Sequence, residues 1–311
     1  MLHLFSPLTL GRMRLPNRIA RAALPSGFAA PGGFAGAALL AYYAEQAGGG
    51  VGMLVVEHTC VLPPADRTAP HLGLYDDAQI ADFHACVAGI HAAGAAALVM
   101  IDQPVRVADL RHDAVAELGE AFIRAAWRAR AAGADGIMLS TTDGGPFEQL
   151  LSPLQNQRDD RYGGTRDARL RLLLEVIEGI QQWLGGDCAV GVRLMVEEFE
   201  PGGLTLHDAR VIAKRLIGTG AAFLEVSAQS GGPMQVAHFP GWMVPLAAAL
   251  KAVVEVPVMV GNLSNDPTLA DDTIRDGSAD IAALSEILHV EPDWPRRAQQ
   301  ALSRQDPGLQ P

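Results

Sequence analysis

The sequence predicts an α/β fold, a closed (β/α)8 TIM barrel, and three observations carry that prediction. Short apolar or β-branched runs alternate with longer amphipathic stretches from one end of the chain to the other, the pattern of parallel strands joined by helical crossovers. Eight such runs can be counted, the number that closes a barrel. An open doubly wound sheet would want a glycine fingerprint just after an early strand. Here Gly48-Gly49-Gly50-Val51-Gly52 precedes its strand, so these glycines read as a helix stop and a tight turn. No GxxxxGK[ST] string occurs either, which disfavours phosphate binding of that kind.

The strands are expected, in order, at 18–24, 51–57, 96–102, 136–140, 189–195, 223–227, 256–261 and 280–285. Each is short and apolar or β-branched, as strands covered on both faces are. Between them, helical periodicity predicts helices such as 78–93, 117–132, 168–183, 206–218, 245–254 and 267–276. Several of these stop at or beside glycine, the residue that helix C-termini prefer. No linker or low-complexity segment divides the 311 residues. One barrel domain over 1–311 is therefore expected, with a polar, proline-bearing tail from about 303.

Composition narrows the partners. With Lys+Arg 24 against Asp+Glu 35 the net charge is −11, so polyanions are repelled and neither nucleic acid nor an anionic membrane is an expected partner. A small molecule is. The three cysteines, Cys60, Cys86 and Cys188, are widely spaced without CxxC, which indicates neither a disulfide framework nor a zinc site. His112, His207 and His289 lack clustered ligand spacing, so no metal is expected. No charged N-terminal lead and no apolar run of the length that spans a bilayer are present. A cytoplasmic protein is the expectation.

Several strings resemble one family. Leu4-Phe5-Ser6-Pro7-Leu8 with Leu15-Pro16-Asn17-Arg18-Ile19, then Val55-Val56-Glu57-His58-Thr59, match its first two units. Gln149-Leu150-Leu151-Ser152-Pro153-Leu154 through Asn156, Arg158, Asp160 and Arg161-Tyr162-Gly163-Gly164 to Arg169 is the strongest match. Gly191-Val192-Arg193-Leu194, Gly202-Gly203-Leu204-Thr205 and Val258-Met259-Val260-Gly261-Asn262 continue it in order. The chain thus resembles the old yellow enzyme (NADH:flavin oxidoreductase) family over nearly its whole length. That resemblance implies a barrel with FMN over the C-terminal strand ends, where hydride passes from NAD(P)H to the flavin and on to an activated alkene. It also makes a homo-oligomer possible.

The resemblance places cofactor contacts on Leu24, Arg193, Gly261 and Asn262, with Arg193 beside the flavin N1/O2 edge and Gly261-Asn262 near the phosphate. Other family positions are altered. Ser285-Glu286 stands where the family has a phosphate-binding Gly-Arg, and Met100 stands where it has a Gln. Its substrate-holding His and His/Asn, with the proton-donating Tyr, read Ser140, Asp143 and Gly145. A carboxylate at Glu286 would repel a phosphate dianion. Arg161 and Arg169 read as structural ion pairs of the rim.

His58, Asp102, Asp143 and Arg193 are the expected catalytic residues, converging at strand ends to offer a base, acids and a cation. Ser140, His238 and Trp242 are the expected substrate contacts. Cys60, two residues after His58, would share a face with it in a regular strand, although buried free cysteines are mostly inert. The reading these residues favour is FMN-independent acid–base chemistry on a small conjugated carbonyl compound, of isomerase, cyclase or lyase type, with no cofactor. The alternatives are an FMN-dependent ene reductase with atypical flavin contacts and a non-catalytic small-molecule binder.

Overall fold

The computed structural model describes residues 3–65, 71–228, 239–263 and 266–305. An antiparallel hairpin opens the chain, β1 (Leu8–Leu10) and β2 (Met13–Leu15), turning at Gly11 with φ +57°. The alternation then begins with β3 (Ile19–Arg21), α1 (Ala37–Gly48), β4 (Met53–Cys60), β5 (Leu72–Gly73), α2 (Ile80–Ala92), β6 (Ala96–Asp102) and α3 (His112–Ala131). It continues through β7 (Gly136–Ser140), α4 (Pro146–Leu151), α5 (Arg166–Leu184), β8 (Ala189–Glu197), α6 (Leu206–Thr219) and β9 (Phe223–Ala228). The last elements are α7 (Val244–Lys251), β10 (Val258–Val260), α8 (Pro267–Arg275), β11 (Ile281–Leu284), α9 (Glu286–Val290) and α10 (Trp294–Gln305).

β3, β4, β6, β7, β8, β9, β10 and β11 pair in parallel in that order, and β11 returns to β3 with Ala282 opposite Ile19, so the sheet closes. β5 only extends the end of β4. Strand parity makes two cores. Leu54, Val56, Val99, Ile101, Ile137 and Leu139 point outward under the helices. Ala20, Met53, Val55, Leu98, Met100, Met138, Phe223, Met259 and Ile281 fill the barrel, where unbranched methionines suit an irregular interior. Leu10, Met13 and Leu15 of the hairpin join that inner cluster and plug the lower end. This hairpin precedes the first expected strand, 18–24, and is an addition to the expected barrel.

Several boundaries differ from expectation by a few residues, and three of the differences have a clear cause. β4 runs on to Cys60 through a register shift between Val56 and Thr59. α3 starts at His112, five residues before 117, because Asp113 suits the first turn and Val115 is buried on the same face as Leu118. α10 continues through Gln305 because Trp294, Ala298 and Leu302, at helical spacing, are buried. The expected glycine stop holds: α1 ends at Gly48, and Gly50 follows with φ +101°.

Candidate functional site

Parity aims a specific set of side chains at the upper end of the barrel. Leu98 and Met100 point inward on β6, so Asp102 does too, and Phe223 places Glu225 in the same way; Ser285 follows the end of β11 and reaches the same space. Above them opens a cavity of about 500 Å³. Ala22, Ala23, Ala283 and Gly261 form small-residue walls, and His58, Asp143, Arg193 and Glu225 bring its charges.

Arg193 is the buried guanidinium of this cavity. Its Nε donates to Glu225 Oε2 at 2.8 Å and its Nη1 to Asp143 Oδ2 at 3.2 Å, while Nη2 has no hydrogen-bond partner among the described residues. Burial works against this charge, but Glu225 and then Asp143 outweigh it and raise the guanidinium pKa further.

His58 reaches the cavity by an irregularity. Val55 and Glu57 have inward parity, so a regular strand would turn His58 toward the helices. The shift after Val56 re-aims it, as bulges near active sites do. Its Nδ1 lies 3.1 Å from Asp102 Oδ2 and its Nε2 lies 3.5 Å from Asp143 Oδ2. Burial opposes the protonated ring, yet the two carboxylates prevail and lift its pKa to about 9. A pKa of that height favours the protonated ring at neutral pH, with both ring nitrogens carrying a proton.

Asp143 sits in a left-handed turn, φ +66°, and accepts from Thr142 Oγ1 at 2.7 Å. Burial would raise its pKa, but His58 and Arg193 hold it well below the usual carboxylate range. Asp102 Oδ1 is buried without a partner among the described residues. A Cβ on Gly145 would lie 2.5 Å from that oxygen, so a glycine leaves the room the carboxylate occupies.

The remaining expected residues fall in different places. Leu24, Gly261 and Asn262 line the cavity. Ser140 is buried and bonds Thr142 Oγ1 at 2.9 Å, shaping the turn that carries Asp143 rather than lining the cavity. Trp242 is buried against Phe199 and is not among the cavity-lining residues. In the orientation that satisfies both ends of its amide, Asn262 accepts from Trp242 Nε1 at 3.2 Å and donates to the Phe239 carbonyl. His238 lies outside the described residues. Cys60 is buried, and burial pushes its thiol up to about 12, so it is no nucleophile.

Two participants were not foreseen, and both interrupt apolar strands. Glu225 orients Arg193. Arg21 is 1% exposed, with Nη1 on the Ala22 and Val55 carbonyls at 3.1 and 3.3 Å and Nη2 on Tyr42 Oη at 2.7 Å, clamping the segment that becomes the cavity floor. The long 149–169 string builds the rim. Asn156 Nδ2 ties the Leu150 and Tyr162 carbonyls, and Arg158 ties those of Val107 and Leu110. Arg161 pairs with Glu175 at 3.5 Å as expected, whereas Arg169 donates to the carbonyls of Leu151 and Gly164.

Known proteins resemble this chain throughout. A sequence profile of the NADH:flavin oxidoreductase / NADH oxidase family matches residues 3–108 and 102–305. An NADH oxidase of Thermoanaerobacter brockii is 32% identical over 96% of this chain and 51% of its own length. A metal reductase of Desulforamulus reducens is 31% identical over 95% of this chain and 48% of its own length. The chain therefore spans about half the length of these relatives. An NADPH dehydrogenase of Halalkalibacterium halodurans is 30% identical over 83% of the chain and 82% of its own. Among solved structures, a 2-naphthoyl-CoA reductase superposes with a TM-score of 0.89 at 21% identity, covering 96% of this chain and 52% of that one. An old yellow enzyme homologue from Zymomonas mobilis gives 0.82 at 23%, covering 96% and 92%.

These findings overturn the expectation of cofactor-independent isomerase, cyclase or lyase chemistry and of no cofactor, because the matching family is one of flavin oxidoreductases. The structure removes the physical argument behind it. Glu286 is exposed on the first turn of α9 and does not line the cavity, while Ser285 does. Met100 is fully buried inside the barrel and does not line the cavity either. The donor set fits FMN: a buried guanidinium with one nitrogen to spare, small walls at Ala22, Ala23 and Ala283, and no side chain at Gly261.

Proposed function

The chain belongs to the NADH:flavin oxidoreductase / NADH oxidase family, and from that premise we propose that it is an FMN-dependent oxidoreductase moving hydride from NAD(P)H to a small conjugated carbonyl acceptor. The observation that carries the proposal is Arg193, a charged guanidinium fixed by Glu225 and Asp143 at the base of a cavity of about 500 Å³. A volume of that size suits a cofactor with a small substrate above it.

FMN, when bound, supplies the two-electron relay between nicotinamide and acceptor. The protein's part is binding, orientation and electrostatics. Arg193 would hold the electron-rich N1/O2 edge, and its two carboxylates keep the guanidinium from rotating away. Leu24 would pack on the ring, with Arg21 fixing the Leu24 carbonyl at 3.4 Å. Gly261 and Asn262 would lie beside the phosphate end, where a missing Cβ lets backbone come close.

The test is direct. The purified protein should be yellow, and denaturation should release about one FMN per chain. Arg193→Met should lower FMN retention about tenfold or more, since a charged hydrogen bond of about 1.5–3 kcal/mol is lost. A colourless protein that takes up no added FMN would refute the reading.

A further inference from the structure

In the family pattern the acceptor's carbonyl and its proton are served from the segment after the strand equivalent to β7, where this chain has Ser140, Asp143 and Gly145. None of these supplies a donor to the cavity. Ser140 is turned into its own turn, Asp143 is an acceptor, and Gly145 has no side chain. The cavity has instead gained His58, brought in from β4 by the bulge. Resting on the flavin reading above, we propose that His58 is the hydrogen-bond and proton donor to a neutral conjugated carbonyl acceptor, so that the donor has moved from the end of β7 to the end of β4.

Three geometric facts support it. Asp102 holds Nδ1 at 3.1 Å and so fixes the ring orientation. Nε2 stands 3.5 Å from Asp143 Oδ2, longer than an ordinary N–H···O bond, so this proton can be shared with a ligand oxygen. The His58 side chain retains 24% of its exposure, which gives it contact with both cavity and solvent. Charge sets the acceptor class. His58 and Arg193 face Asp102, Asp143 and Glu225, so the cluster carries one negative charge in excess, and a carboxylate substrate is disfavoured relative to a neutral carbonyl.

The chemistry balances. Hydride, derived from NAD(P)H, adds to the β-carbon of the C=C–C=O unit, and the π electrons move to the carbonyl oxygen, which accepts a hydrogen bond from His58 Nε2. The proton on His58 then passes to the α-carbon, leaving neutral His58, which regains a proton from water. One hydride and one proton are consumed per double bond, and NAD(P)+ is the oxidised product.

The experiment measures ligand binding as well as turnover. Binding of cyclohexanone, which has a carbonyl but no alkene, and of cyclohexanecarboxylate is followed by NMR on wild type, His58→Ala and His58→Gln, each with its FMN content and melting temperature recorded. Wild type should bind the ketone and perturb the His58 ring nitrogens, and should bind the carboxylate at least tenfold more weakly. His58→Ala should lose about 10- to 100-fold in ketone affinity while keeping its FMN, and His58→Gln, which retains a neutral donor, should fall between. In turnover with NAD(P)H and cyclohexenone, His58→Ala should lose kcat by at least a factor of about 100. Equal ketone affinity and turnover in wild type and both folded variants, or preference for the carboxylate, would overturn the assignment. FMN content separates that result from failure of the flavin reading, which would show as missing flavin in wild type itself.

Discussion

The charge on His58 makes a stability prediction that needs neither cofactor nor substrate. An ordinary histidine titrates near 6.5, whereas in the folded protein the two carboxylates lift it to about 9. At about 1.4 kcal/mol per tenfold change in an ionisation constant, the gap corresponds to roughly 3 kcal/mol. Because the folded value is the higher one, this stabilisation is fully present below about pH 6.5 and is lost as pH rises through 9. The groups facing the ring are Asp102 from β6 and Asp143 from the turn after β7. Arg193 and Glu225 lie behind them, and Glu57 precedes it on β4. Urea denaturation of wild type and His58→Gln at about pH 6, 8 and 10 isolates the term. The wild type's advantage should shrink by roughly 3 kcal/mol across the series, with most of the loss above pH 7. Parallel pH dependences for the two proteins would refute the reasoning, because a neutral His58 and a Gln respond alike to pH.

Other consequences follow from the same contacts. Gly145→Ala, whose backbone φ of −69° accepts alanine, should push the Asp102 carboxylate off His58 and bring the histidine's titration by NMR down from about 9 toward its ordinary value; an unchanged titration would count against the role given to Gly145. Arg21→Met should lower stability by about 2–4 kcal/mol in denaturant melts, since it strips the Ala22 and Val55 carbonyls and Tyr42 Oη of a buried charged donor. A loss under about 0.5 kcal/mol would mean that the cavity floor does not depend on the clamp. The three cysteines should resist a thiol reagent at pH 8 in the native protein and all react in denaturant, because burial pushes Cys60 and Cys86 up to about 12 and Cys188 up to about 11.

What could be read from the chain, and what could not, turns on one geometric rule used at two places. The strand count made the barrel legible, because each strand announces itself locally and closure needs only their number. A strand end fixes height in the barrel, but parity decides whether a side chain faces the cavity or the helices. Ile281 and Ala283 point inward on β11, which ends at Leu284; Ser285 then lines the cavity, and Glu286, the first residue of α9, is exposed. The repulsion assigned to Glu286, and with it the physical case against flavin, failed by a single residue, at the point where the strand gives way to α9. At β4 the same rule misleads. Val55 and Glu57 would send His58 outward, and only the register shift between Val56 and Thr59, set by pairing with β6, turns it in. That shift depends on a strand some forty residues away in sequence, so no local pattern announces it. Sites built on regular strands are therefore legible to the extent that parity is applied strictly, and a site built on a bulge is legible only once the neighbouring strand is in place. Arg193 and Glu225 belong to the first kind and His58 to the second. For that reason Arg193 stands at the cavity as its place on a regular strand implies, while the entry of His58 into the same cavity follows only from the pairing of β4 with β6.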